Sequence, residues 1–286
     1  MESAPEPFVV DTDAELTEGP VWDGPRGRLL WVDITAGRVH SIDIETARRE
    51  LWQLDHEVGA VAPCAGGGLV IADRIGFARL DEKPTRLSDV VEPGLRMNDG
   101  ACDPTGCFWA GTMAFDERPG AGALYRLSTD GSVQEMLGGV TISNGIGWSR
   151  DGARMYYVDS GVQSVEVFDW QPGAALGRRR RLVVLPAAAG TPDGLAVDAE
   201  DCLWVAFWGG WAVRRYSPEG ELLSEVGLPV ARVTSCAFGG EKLDELFITT
   251  AAHGLSEQER REQPLAGAIF RCRPGVRGLE TFAYAG

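Results

Sequence analysis

The 286 residues are 44% hydrophobic and carry a formal net charge of −15. That is ample apolar material for a sizeable core, while so acidic a surface repels phosphate backbones and anionic lipid and so excludes nucleic acid and membranes as partners. No apolar run approaches the roughly 18 residues of a membrane span, and Met1-Glu-Ser-Ala-Pro-Glu lacks the basic and apolar regions of a signal peptide, so a cytoplasmic location is expected.

The first element in the chain is Phe8-Val-Val-Asp, which reads as a strand. Next comes a frame, Glu18-Gly-Pro-Val-Trp-Asp, that recurs as Asn98-Asp-Gly-Ala-Cys-Asp, Asn144-Gly-Ile-Gly-Trp-Ser and Asp193-Gly-Leu-Ala-Val-Asp. Two weaker copies fill the series, one at Gly59-Ala-Val-Ala-Pro-Cys and one near Ser235-Cys-Ala-Phe-Gly-Gly. The spacings are 41, 39, 46, 49 and 42 residues. Each frame runs into a Gly/Asp turn such as Asp23-Gly-Pro-Arg-Gly or Asp103-Pro-Thr-Gly. A β-rich run follows, as in Leu29-Leu-Trp-Val and Cys202-Leu-Trp-Val, and then a third, as in Arg38-Val-His-Ser-Ile. β-Branched and aromatic residues between such turns are strand signals. Helical periodicity is confined to one turn at Glu257 to Glu262.

Several strands per repeat of about 40–50 residues read as propeller blades. Six repeats predict an all-β, six-bladed β-propeller, with residues 1–286 as a single domain. The N-terminal strand is expected to complete the last blade near Phe282-Ala-Tyr, which would close the ring and hide a sheet edge. A closed propeller needs no partner to bury its core, so a monomer is expected.

The innermost strand of a blade lines the central channel, so the first residue of each frame belongs at the channel mouth. Glu18, Asn98, Asn144 and Asp193 then surround the axis, and the small residues Gly59 and Ser235 leave room for a pocket. Two carboxylates with two amides are hard oxygen donors. They suit Ca²⁺, Mg²⁺ or Mn²⁺ and accept Zn²⁺ or Fe²⁺. The three histidines, at 40, 56 and 253, show no metal-ligand spacing and read as strand-edge or loop residues. The six cysteines sit mostly in apolar runs and read as reduced thiols, with Cys102 and Cys107 the only close pair. No G-x-S-x-G elbow is present, which disfavours a serine hydrolase. This composition points to a metal-dependent hydrolase. Trp208 and Trp211 are candidate walls against a sugar face, or else strand-end core.

The motifs also resemble those of the SMP-30/gluconolactonase/luciferin-regenerating-enzyme family. The resemblance rests on Glu18-Gly-Pro-Val-Trp, Arg96-Met-Asn-Asp-Gly, Trp109-Ala-Gly-Thr-Met, Ser143-Asn-Gly-Ile-Gly-Trp, Tyr157-Val-Asp-Ser and Pro192-Asp-Gly-Leu-Ala-Val-Asp, and spans nearly the whole chain. It implies a six-bladed propeller with one axial divalent metal, Ca²⁺ or Zn²⁺ foremost, held by Glu18, Asn144 and Asp193. It places Asn98 against substrate or metal, Arg96 against substrate, and Asp116 against a sugar. Met97 stands where an aromatic residue is often seen, which predicts an altered pocket. The activity implied is hydrolysis of an aldonolactone, with Asp193 as general base and Arg96 binding hydroxyls or the developing anion. A related esterase or phosphotriesterase, and a non-catalytic calcium-binding propeller, are the alternative readings.

Overall fold

The computed structural model describes residues 3–11 and 13–286. Its 24 strands form six antiparallel four-stranded sheets, and in five of them the strands lie in simple chain order. The innermost strands are Thr17–Asp23, Val58–Pro63, Leu95–Cys102, Ser143–Trp148, Thr191–Val197 and Val233–Gly239. Each packs against the innermost strands on either side, and the sixth packs against the first, so the sheets are the blades of a closed six-bladed propeller. No helix of the described residues is long and apolar enough to cross a membrane.

Side chains of adjacent blades fill the wedges between them. Trp109, Trp204 and Phe108 are fully buried there. The Gly/Asp turns have a second role in two blades. Asp103 accepts from the Trp109 indole N–H at 2.8 Å, and Asp198 accepts from the Trp204 indole at 3.0 Å. Each of these aspartates also collects turn amides, from Thr105 and Cys107 in one case and from Glu200 and Cys202 in the other. One carboxylate thus fixes the turn and satisfies a buried indole.

The sixth blade is shared between the two ends of the chain, in the order Glu6–Val9, Ile269–Cys272, Glu245–Thr250, Val233–Gly239. The N-terminal strand therefore pairs with Ile269–Cys272 and not beside Phe282. That is where the apolar surface lies: Phe8 packs 5.2 Å from Phe247, and Arg271 covers the Phe8 ring and pairs with Glu6. The last residues do something else. Gly278 bridges to Asp198 in blade five and donates to Leu243 O in blade six. Leu279 to Phe282 line a cavity of about 150 Å³ inside the lower channel. Tyr284 then donates to Pro63 O in blade two, and Ala285 to Gly106 O in blade three. The tail therefore crosses beneath the channel, tying blades five and six to blades two and three.

All six innermost strands slip register at the same level. The shifts fall at Glu18/Val21, Val58/Ala60, Met97/Asp99, Ser143/Ile146, Pro192/Leu195 and Val233/Ser235. A β-bulge bends a strand and re-aims the side chain at the bulge. The bulges at Glu18, Asn98, Asn144 and Asp193 place those side chains at the axis. In blade six the residue at the bulge is Thr234, not Ser235, and its hydroxyl donates sideways to Thr17 O at 2.7 Å. Gly59 does not open the pocket either. A Cβ there would stand 2.5 Å from the Met97 carbonyl carbon, so glycine is needed to let the strands of blades two and three approach. All six cysteines are free thiols.

Candidate metal centre

Six polar side chains meet where the bulges converge: Glu18, Arg96, Asn98, Asp99, Asn144 and Asp193. Each is at least nine-tenths buried. Their hydrogen bonds run in a chain. Arg96 Nη1 donates to Asn98 Oδ1 at 2.6 Å. Asn98 Nδ2 donates to Asn144 Oδ1 at 2.9 Å and to Ser143 O at 2.8 Å. Asn144 Nδ2 donates to Ser160 Oγ at 2.7 Å, and Ser160 donates to Pro192 O at 2.7 Å. This last relay fixes the Asn144 amide with its nitrogen toward Ser160 and its oxygen toward the axis. Such outer contacts are what orient a ligand oxygen.

The carboxylates are under electrostatic stress. Burial raises the Glu18 carboxyl well above its usual range, and Asp193 and Asp99 raise it further. Burial and then Asp99 do the same to Asp193. Asp99 is pushed by burial to about 7. Burial also lowers Arg96 to about 10, although Glu18, Glu57, Glu117 and Asp193 oppose it. Three ionised carboxylates and one guanidinium leave an excess of two negative charges out of water, which a divalent cation would offset. One oxygen is orphaned as well: Asp193 Oδ1 is buried without a hydrogen-bond partner. A buried carboxylate oxygen without a donor is costly unless a cation or proton completes it. The donor set therefore fits a hard divalent ion between Glu18, Asn144 and Asp193.

Above this floor opens a cavity of about 490 Å³, with Glu18, Arg96, Asn98, Asn144 and Asp193 all on its surface. Five of the six expected site residues are thus brought together. Asp116 is not. It is exposed and paired with Arg118 at 2.9 Å, while its neighbour Glu117 lines the cavity. Glu117 takes a left-handed conformation, φ 53°, in the tight turn after Phe108–Ala114, and this turns the two side chains apart. Met97 is also outside: it is buried in the core between blades, and Met113 and Phe115 form the wall instead. Trp208 lines the cavity, whereas Trp211, left-handed at φ 57°, is exposed and does not.

The sequence reading missed Asp99, Glu57 and His253, the last two of which line the cavity. The available signal for Asp99 was a carboxylate where the three other frames have Gly. The other histidines are structural. His40 stacks on Trp31 at 5.0 Å, and His56 lies 3.2 Å from Asp73.

Fold and site together define a six-bladed propeller with a buried cluster of acids and amides on its axis, beneath an open pocket. The chain belongs to the SMP-30/gluconolactonase/LRE-like family, whose model matches residues 16–252. It is 39% identical to regucalcin of Danio rerio, over 97% of both chains. It is 34% identical to a putative sugar lactone lactonase of Bacillus subtilis, over 96% of this chain and 97% of that one. Among solved structures it superposes on a calcium-binding protein, regucalcin, of Agrobacterium tumefaciens with a TM-score of 0.93. That pair is 28% identical, over 98% of each chain.

Proposed function

We propose that this protein hydrolyses a sugar lactone to the sugar acid, at a site where Glu18, Asn144 and Asp193 hold one divalent cation. The observation that carries the reading is the unpartnered Asp193 oxygen among three mutually repelling carboxylates, facing a cavity that also presents Arg96. A site that only stored cations has no use for a buried guanidinium. The names borne by the relatives, a putative sugar lactone lactonase and a calcium-binding regucalcin, support both halves of the reading. The all-oxygen donor set favours Ca²⁺, with Zn²⁺, Mg²⁺, Mn²⁺ and Fe²⁺ the others to be screened.

When bound, the cation supplies Lewis acidity that polarises the lactone carbonyl and offsets the charge that develops on its oxygen. Asp193 accepts the proton of the attacking water. Burial makes its carboxylate a stronger base than an exposed one, which suits that task. Arg96 spends one N–H on Asn98, and other donors of its fork serve substrate hydroxyls. Asn98 joins Arg96 to Asn144, so the binding edge and the ion-holding edge keep a fixed spacing.

The test is proton release from a panel of aldonolactones by metal-stripped protein, with each cation restored in turn. Metal-restored turnover is expected. Confirmed metal binding with no turnover of any lactone would refute the hydrolase reading and leave a calcium-binding propeller.

A further inference from the structure

The cavity has two chemically different sides. Blades two and three present Glu57, Arg96 and Glu117, and blade five presents Trp208. Trp208 ends the strand Leu203–Trp208, is partly buried, and packs against the apolar cluster containing Leu16 and Ala251. One face of its ring is occupied: the Arg232 guanidinium carbon lies 4.9 Å from the ring centroid. Two further contacts hold that arginine. Its backbone bridges to Trp208, and its Nη2 donates to Gly254 O at 3.0 Å. Gly254 is left-handed at φ 70°, and a Cβ there would stand 2.8 Å from Arg232 Nη1, so glycine permits the contact. His253, the residue before it, is on the cavity wall. Arg232 therefore clamps a wall tryptophan to a wall loop without touching the cavity itself.

We propose, resting on the sugar-lactone reading, that Trp208 is the platform on which the C–H face of the sugar ring stacks and that Arg232 is the residue that positions it. The C–H bonds of a sugar ring are polarised by the neighbouring oxygens, and the negative face of an indole attracts them. The ring's hydroxyl edge then meets Arg96, Glu57 and Glu117 across the pocket. The proposal puts substrate on the ring face opposite the arginine, whose stacked planar cation fixes the indole plane. The site is thereby matched to neutral polyhydroxylated ring lactones.

The test is a double-mutant cycle of Trp208→Ala and Arg232→Ala, with Arg232→Lys as the conservative variant. D-Glucono-1,5-lactone hydrolysis and calorimetric binding of sodium D-gluconate are both read in the presence of Ca²⁺. Arg232→Ala is expected to raise KM and the gluconate Kd by about fivefold to tenfold, with kcat within about twofold and Ca²⁺ affinity unchanged. Arg232→Lys should recover part of that loss. The double variant should be no worse than Trp208→Ala alone, because both remove one platform. Effects that multiply, or an Arg232→Ala protein with wild-type gluconate binding, would overturn the proposal. If the wild type hydrolyses no lactone yet gluconate binding shows the same non-additive cycle, the platform stands and the lactonase reading falls.

Discussion

Replacing Asp99 by Asn should make the metal-free protein more stable, and by an amount that depends on pH. Asp99 is 7% exposed, and burial lifts its carboxyl from 3.8 to about 7. Three pKa units at 1.36 kcal/mol each put the cost of ionising it at about 4 kcal/mol. Asn keeps an oxygen for the Gly100 N–H, now 2.7 Å away, and removes the charge. Its new NH₂ costs about 1–2 kcal/mol if no acceptor takes it, so a net gain of about 2–3 kcal/mol remains. The sign follows from linkage. A folded pKa raised above the unfolded value gives stability that is complete below about pH 4 and lost as the pH passes about 7. The wild type therefore loses this increment between those limits and the variant does not. Urea unfolding in chelator at about pH 4 and about pH 8 reads the difference. At the lower pH, where only the amide cost remains, the variant should trail by about 1–2 kcal/mol, and at the higher it should lead by about 2–3 kcal/mol. A variant no more stable than wild type at pH 8, or equally advantaged at both values, would refute the electrostatic account.

Other outcomes follow from the same geometry. Asp193→Ala should abolish lactone turnover and weaken Ca²⁺ binding by at least about 100-fold, since it removes a charged ligand; full activity in that variant would displace the proposed site. Arg96→Ala should lower kcat/KM by about 100-fold or more while calorimetry still finds the cation bound, a loss of roughly 3 kcal/mol of transition-state binding. Because Glu18 and Asp193 are both raised, protons compete with the cation, so its affinity should climb as pH rises above the ordinary carboxylate range and binding should release protons in calorimetry across buffers. Gly59→Ala should destabilise the protein by about 2–4 kcal/mol, because its Cβ meets the Met97 backbone at 2.5 Å, and thermal melts would show the loss.

Much of this architecture was written in the turns. Gly/Asp punctuation at a steady period located all six blades, because an inner strand, a turn and an outward strand are local features with local sequence signals. Glu18, Asn144 and Asp193 stood out because they broke the apolar pattern at one repeat position. The errors have a common physical origin in contacts between blades. Ser235 was taken for the frame position, but the register shift that makes Thr234 the bulge is a property of strand pairing. Gly59 was read as space, yet what fills the space is the backbone of the next blade. Asp116 and Glu117 were exchanged because one left-handed residue in a turn decides which of two adjacent acids faces inward. The tail from Gly278 to Ala285 pairs with blades five, six, two and three, and a segment without its own periodicity announces no partner.

That tail gives the two ends of the channel different surroundings. Leu279 to Phe282 lie at the lower end of the channel, and the pocket over Glu18 and Asp193 opens at the other end, beside Phe115 and Trp208. On the lactonase reading, the sugar acid carries a carboxylate suited to the ion and hydroxyls suited to Arg96, so product and substrate contend for one pocket. On the same reading, added sugar acid should act as a competitive brake on lactone turnover.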